Sequence, residues 1–167
     1  PTATIDTSAP AAFYPMHVLK DAQFGEKLKT MLAAGRPVLI TDGLAAKIGT
    51  IKAAGNKPAI LKVKGQSKSL LELRREQLAT ISNPLLKPFG LAFDAPNQVA
   101  LYLFGDDLIA VENFNDEPVG TTLQFDKAVK ATSRLMIPAA SQGKLSGREN
   151  EWKLGISPRT LVVIQLD

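Results

Sequence analysis

Residues 99–125 read VALYLFGDDLIAVENFNDEPVGTTLQF, and this stretch decides the fold class of the second half of the chain. Along 99–104, Val99, Leu101 and Leu103 alternate with Ala100, Tyr102 and Phe104; a glycine-aspartate turn follows, and 108–114 forms a return strand. After the turn Asn115-Asp116-Glu117-Pro118, a third strand over 119–125 places Val119, Thr121, Leu123 and Phe125 on one face. Strands joined by short turns predict an antiparallel meander or a small β-sandwich.

Two further strands are expected downstream, at 131–137 and at 160–166, because both runs are rich in β-branched and aliphatic residues. The segment 141–150 between them is polar and contains glycine, which is typical of a connection.

The first half of the chain follows a different pattern. Apolar residues recur at intervals of three and four over 21–34, and Gly35 follows, which predicts a helix and its end. The next predictions are a strand over 38–41, a turn and helix over 42–48, and a strand over 59–64. A last helix is expected from Ser69 to Thr80, with Glu72 as partner of the Ser69 cap.

Alternation of helix and strand favours a parallel α/β layer, so the expected fold class is α+β, a partial α/β layer followed by an antiparallel β-domain. The expected organisation is a linker or leader over 1–12, an α/β part over 13–90 and a β-domain over 91–167. Because the chain starts at Pro1 and its first residues are small and polar, we expect a piece of a longer protein.

The composition excludes several classes of chemistry. The 167 residues include no cysteine, so mechanisms and metal sites that need a thiolate are excluded. His17 is the single histidine, which excludes a multi-histidine metal site, and we expect it to be a surface or structural residue. We expect no cofactor and no metal. No apolar run approaches the roughly 18 residues of a membrane span, so no membrane association is expected.

Charge is distributed unevenly along the chain. The net charge is +4 and the isoelectric point about 9.4, but residues 91–126 carry seven acidic and no basic side chains. The basic residues elsewhere are scattered, and aromatic residues make up only 6% of the chain. A nucleic-acid-binding surface needs concentrated basic groups, so we do not expect nucleic acid as a partner.

Five residues are candidates for ligand binding. Thr41, Asp42 and Gly43 lie where a strand passes into a helix, a common ligand position in α/β sheets, although the same residues are typical of a simple turn and cap. Tyr102 and Trp152 are candidate sugar-stacking residues, with packing in the core as the alternative. No phosphate-binding loop, dinucleotide-binding, zinc-protease or serine-hydrolase motif accompanies them.

The acidic residues of 91–126 fall mainly in expected turns. Asp106-Asp107 and Asp116-Glu117 are interpreted as solvated turn residues, with calcium binding as the alternative. Arg159 precedes the last strand and is an expected ion-pair partner for this acidic region, with a structural role.

Two stretches carry a family resemblance. Gly35–Leu44, GRPVLITDGL, resembles the strand and turn of glutamine-amidotransferase-like α/β domains, and Val99–Leu123, with VENFNDEPV at 111–119, resembles small C-terminal β-domains of glycoside hydrolases. This order is similar to the non-catalytic C-terminal region of family-42-type beta-galactosidases. The catalytic carboxylates of those enzymes lie on a (β/α)8 barrel of about 250 residues, which this chain is too short to contain. The resemblance therefore implies no catalytic residue here.

The leading hypothesis is a non-catalytic accessory region of a carbohydrate-active enzyme-like protein, with a structural or oligomerisation role. Its partner would be an upstream domain or a second copy. A carbohydrate-binding module that uses exposed aromatic residues to hold a glycan is the second hypothesis, and a small α/β enzyme with its site at Thr41-Asp42-Gly43 is the third. A periplasmic or secreted location is favoured.

Overall fold

The computed structural model describes residues 5–63, 67–138 and 143–167. The chain divides into two compact units, Pro1–Leu70 and Leu71–Asp167. The fold is mixed α+β, as expected: one parallel sheet and two antiparallel sheets are accompanied by α-helices. No helix among the described residues is both long and apolar enough to cross a membrane.

In its described residues, the first unit is a three-stranded parallel sheet with two α-helices. In chain order its elements are β1 (Ala12–Tyr14), a 3-10 helix (Met16–Lys20), α1 (Phe24–Ala33), β2 (Val38–Thr41), α2 (Asp42–Ile48) and β3 (Ala59–Leu61). The strand order is β1-β2-β3, with β2 in the centre. Helix α1 buries the four side chains that its periodicity predicts, Phe24, Leu28, Met31 and Leu32. Gly35 follows with φ +71°, so it ends the helix as predicted.

One hydrophobic core holds this unit together. It combines the buried face of α1 with Val38 and Ile40 of β2 and Leu44 of α2. Both helices therefore pack against the same core. This two-layer arrangement confirms an α/β part, and it does not confirm the helix layering of an amidotransferase-like domain.

Residues 5–12 contact this unit, although their composition suggested a linker. Ile5 and Ala9 pack against the core, and Ala12 begins β1. The Arg36 guanidinium donates to the backbone carbonyls of Thr7 and Ala9, which fixes the segment along the sheet. Composition alone does not reveal this attachment, because it depends on an arginine 27 residues from Ala9.

The described part of the second unit is a β-sandwich with one α-helix. Its elements follow a 3-10 helix (Ser67–Glu72) and are α3 (Arg75–Leu86), a 3-10 turn (Lys87–Phe89), β4 (Leu91–Asp94), β5 (Val99–Phe104), β6 (Leu108–Asn113), β7 (Val119–Phe125), β8 (Ala131–Ile137), β9 (Gly143–Arg148), β10 (Glu151–Ile156) and β11 (Thr160–Leu166). The first sandwich sheet has the order β4-β7-β10-β9, and the second has the order β5-β6-β11-β8. Both sheets contribute to one core, which includes Phe93, Leu123 and Leu154 from the first and Val111 and Val162 from the second.

Several predictions for this unit are wrong in detail. The turn at 115–118 does not form a hairpin, because β6 pairs with β5 and β11 while β7 pairs with β4 and β10. The three strands are therefore not a meander, and the sandwich alternative is confirmed. Strand β9 lies within 141–150, which was expected to be a connection, and no strand was expected at β4 or β10.

The expected helix from Ser69 is also placed differently. Helix α3 begins at Arg75, and the Gln77 side chain accepts from the Arg74 amide at 2.9 Å, while the Ser69 hydroxyl donates to the carbonyl of Val63. The Asn83 side chain accepts from the amide of Phe93, which ties the helix to β4. Because α3 contacts β4, it belongs to the second unit, whose boundary lies at 70/71 where the sequence suggested 90/91.

Candidate functional site

Thr41, Asp42 and Gly43 form the first turn of α2, at the end of β2. The Thr41 hydroxyl oxygen accepts from the Leu44 amide at 3.3 Å, and the Asp42 carboxylate accepts from the Gly43 amide at 2.9 Å. A Cβ on Gly43 would lie 3.0 Å from the terminal methyl of Met16. The Gly43 and Leu44 amides at this helix start are therefore used by local side chains, which is the geometry of a cap.

Tyr102 and Trp152 do not come together. Trp152 lies on β10 of the first sandwich sheet, is half-buried against the core, and donates its indole N–H to the carbonyl of Val129 at 3.3 Å. Tyr102 lies on β5 of the second sheet and is 38% exposed. Val99, Leu101 and Leu103 of the same strand pack against the core, so Tyr102 points outward, as its alternation predicts.

The outer side of the second sandwich sheet is largely apolar, and we call it the apolar face. Strand alternation and the strand register assign twelve residues to it: Ala100, Tyr102, Phe104, Leu108, Ala110, Glu112, Thr132, Leu135, Ile137, Leu161, Val163 and Gln165. Phe104, Leu135 and Ile137 are each half exposed, at 53%, 50% and 53%. In its centre Ala110 is only 3% exposed although it lies outside the sandwich core, because its neighbours cover it.

The outer side of the first sandwich sheet has the opposite character, and we call it the polar face. Register and alternation place eight polar side chains there: Asp94, Thr122, Gln124, Lys144, Ser146, Arg148, Glu151 and Lys153. Glu151 and Lys153 form an ion pair at 3.5 Å. A polar outer side is what a solvated sandwich sheet requires. The apolar face is therefore the exception within this unit, and exposed apolar sheet surface is typical of binding sites.

Tyr102 also carries the main polar contact of the apolar face. Its hydroxyl donates to the Glu112 carboxylate at 3.0 Å, and its ring stacks with that of Phe104 at a centroid distance of 6.4 Å and an angle of 22°. The hydrogen bond to Glu112 is the main reason that the pKa of Tyr102 is raised above 10.0. The phenol therefore stays neutral at physiological pH, and it satisfies one of the carboxylate oxygens.

The acidic turn residues lie at the ends of the sandwich. Asp106, Asp107 and Asp126 line a cavity of about 750 Å³ between the ends of the two sheets. In 5–63, 67–138 and 143–167, no three histidine or carboxylate side chains are grouped as a metal site would require. At the opposite end the Arg159 guanidinium binds the Asp116 carboxylate at 2.8 Å, which confirms the expected ion pair.

Sequence reasoning found Tyr102 but missed the other half of the apolar face. Leu135 and Ile137 alternate at i and i+2 in β8, and Leu161 and Val163 do so in β11. The sequence did contain a signal for this surface. Both strands carry large apolar residues at successive positions, so both sides of each strand are apolar. His17 is exposed in the 3-10 helix of the first unit.

Comparison of the chain with protein-family models, with curated proteins and with solved structures found no match in any of the three.

Proposed function

We propose that this chain is a non-catalytic accessory region of a carbohydrate-active enzyme-like protein, with a structural and oligomerisation role. Its first unit would correspond to an amidotransferase-like α/β part and its second to the small β-domain. The apolar face carries the proposal, because burial of its exposed side chains against a protein surface is favourable, whereas their exposure to water is costly.

The chemical inventory supports a role without catalysis. The chain has no cysteine and one histidine, and the turn at Thr41-Asp42-Gly43 uses its amides for capping. A glycosidase or esterase activity of the purified chain that disappears on replacement of one carboxylate or serine would contradict this part of the proposal.

The direct test is the mass of the purified chain by light scattering over a concentration series. We expect association that weakens in Leu135→Lys, since Leu135 is 50% exposed on an edge strand of the apolar face. Burial of the exposed half of a leucine contributes about 1 kcal/mol. In a symmetric dimer the substitution acts twice, so Kd should rise about 30-fold or more.

The matched control is Ser146→Lys, which adds the same charge to an exposed position of the edge strand β9 on the polar face. It should leave the mass unchanged. A chain that stays monomeric at all concentrations, or two variants with equal effects, would contradict the assembly role of the apolar face.

Carbohydrate binding is the second candidate, and the Tyr102–Phe104 pair favours it. Both rings are exposed, and that of Tyr102 lies beside the Glu112 carboxylate; aromatic rings with a neighbouring carboxylate can stack on and hydrogen-bond a sugar. On a glycan array, Tyr102→Ala should lose binding, while Tyr102→Phe should retain the stacking contribution. Absence of saturable binding in the unsubstituted chain would exclude this candidate. Trp152 is not part of this surface, because its side chain packs against the sandwich core.

A further inference from the structure

The apolar face is organised in three rows that cross the four strands in the order β5, β6, β11, β8. The middle row is Tyr102, Ala110, Val163 and Leu135; the flanking rows are Ala100, Glu112, Leu161 and Ile137, and Phe104, Leu108, Gln165 and Thr132. The pairing register aligns each row across the sheet. The face therefore has a defined pattern of side-chain size that another surface would have to match.

In three of the six mirror pairs of these rows, a small side chain corresponds to a larger one. In the first flanking row, Ala100 on the β5 edge corresponds to Ile137 on the β8 edge. Ala110 and Val163 correspond in the same way in the middle row, and the large Phe104 corresponds to the smaller Thr132 in the other flanking row. Close packing of two surfaces requires large groups on one to meet small groups on the other. Three of the six mirror pairs meet this condition, while the other three, Tyr102 with Leu135, Leu108 with Gln165 and Glu112 with Leu161, each combine two large side chains.

We propose that a second copy of this chain covers the apolar face, related by a two-fold axis that runs along the strands between β6 and β11. Such an axis places β5 of one copy over β8 of the other and keeps each row opposite itself. Ala100 then faces Ile137 of the second copy, Ala110 faces Val163, and Phe104 faces Thr132. Sheets that pack face to face align their strands within about 30°, which this axis satisfies. The inference rests on the proposed oligomerisation role and specifies its partner and geometry.

The charges of the face agree with self-association. The β8 bulge adds the exposed Arg134 beside Leu135, so the face carries one basic and one acidic side chain and adds no net charge to two copies that each carry +4. The acidic residue, Glu112, already accepts the hydrogen bond of Tyr102. Satisfying a carboxylate within its own copy lowers the cost of covering it.

The size of the face sets the expected affinity. Four strands about 4.8 Å apart and rows about 6.6 Å apart give a projected area of roughly 300 Å². Stable complexes bury about 800 Å² per partner, so we expect a weak dimer, with Kd in roughly the micromolar to millimolar range. The measurement must therefore cover this range of protein concentration.

The absence of cysteine from the chain makes a clean cross-linking test possible. Tyr102→Cys and Leu135→Cys are prepared separately and treated, alone and as a mixture, with a bis-maleimide whose span matches the ~10 Å between packed sheets. The proposed axis places Tyr102 of one copy over Leu135 of the other, so the mixture should form a covalent dimer. Neither variant alone should form a covalent dimer. The same residue in the two copies is displaced by three strand spacings, about 14 Å, in addition to the sheet separation.

Other outcomes separate the possible failures. Self-linking of Tyr102→Cys would indicate a two-fold axis perpendicular to the strands and would overturn the proposed geometry. An association that Leu135→Lys weakens, but with no cross-link in the mixture, would overturn this inference and leave the proposed function standing. A chain that is monomeric throughout contradicts both, whether or not it binds a glycan. A mixture of Tyr102→Cys and Ser146→Cys is the matched control, since Ser146 lies on the polar face, and it should give no covalent dimer.

Discussion

Asn113 should contribute more to the stability of the second unit than any single residue of its surface. Its side chain is fully buried at the end of β6. The amide nitrogen donates to the carbonyls of Glu117 at 2.9 Å and Ser157 at 3.0 Å, and the amide oxygen accepts from the backbone and side chain of Asn115, both at 2.9 Å. Glu117 precedes β7 and Ser157 follows β10, so one side chain of the second sheet fixes two connections to the first.

Asn113→Ala removes these four hydrogen bonds and a longer one, 3.4 Å, from the amide nitrogen to the carbonyl of Ile156. Each neutral hydrogen bond contributes about 1 kcal/mol net, and some of the freed groups will regain water, so we expect a loss of about 3 kcal/mol in the free energy of unfolding. Asn113→Asp should be at least as destabilising at neutral pH, because a carboxylate would face two carbonyl oxygens. Its pKa would be raised in the folded state, so the stability of this variant should increase as pH falls.

Urea unfolding followed by tryptophan fluorescence measures this loss, because Trp152 is the only tryptophan and lies in the second unit. With a slope of about 2 kcal/mol per molar urea, the midpoint should fall by about 1.5 M. The control is Thr121→Val, which replaces another buried polar residue that makes one long hydrogen bond, 3.4 Å to the carbonyl of Leu154. If both variants lose less than about 1 kcal/mol, Asn113 does not join the sheets as argued.

Gly35→Ala should destabilise the first unit by about 1 kcal/mol, because Gly35 has φ +71°. Gly25→Ala should stabilise the same unit by up to about 1 kcal/mol, because Gly25 lies within α1 with open space around it. Thermal unfolding followed by circular dichroism measures both changes. Equal effects would contradict the role of Gly35 as helix end. Glu112→Gln should lower the raised pKa of Tyr102 toward 10.0, as measured by absorbance at 295 nm in a Tyr14→Phe background. Because the folded-state pKa is raised, the stabilisation from this hydrogen bond is complete below about pH 10 and is lost as pH rises through that pKa; an unchanged titration in Glu112→Gln would contradict the contact.

Local periodicity predicted the elements whose signal lies in their own residues. Helix α1 is an example, because its four buried side chains recur at intervals of three and four and a glycine with positive φ ends it. Strand β5 is another, since its alternation correctly separated Tyr102 from the residues that face the core. In both cases a short range of sequence contains the whole pattern.

Other elements lack such a local signal. Strand β9 has Leu145 as its single large apolar residue and lies at a sheet edge, so its sequence resembles a polar connection. Strand β10 differs from β9 because it does carry the local signal: Trp152, Leu154 and Ile156 face the core and alternate with glutamate, lysine and glycine, so its own residues could have predicted it.

The sheet order and the candidate site depend on contacts between distant residues. A four-residue connection at 115–118 fits a hairpin, but β6 pairs instead with β11, about 50 residues later in the chain. The apolar face exists only because this pairing brings Val163 beside Ala110 and Leu135 beside Val163. The sequence identified Tyr102 as one outward residue. The face around it depends on which distant strands pair with each other, and no short range of sequence contains that information.

The central position of β11 has a consequence for biosynthesis. Strand β8 pairs only with β11 in its sheet, and β6 needs β11 as its second neighbour. During translation at about 5–20 residues per second, β8 therefore leaves the ribosome seconds before its partner does. In that interval Leu135 and Ile137 belong to an unpaired strand, which is a target for chaperones and for aggregation. Nascent chains that end before residue 160 and are held outside the ribosome by a linker that fills the exit tunnel should therefore be captured by hydrophobic-segment chaperones more strongly than chains in which the same linker follows residue 167.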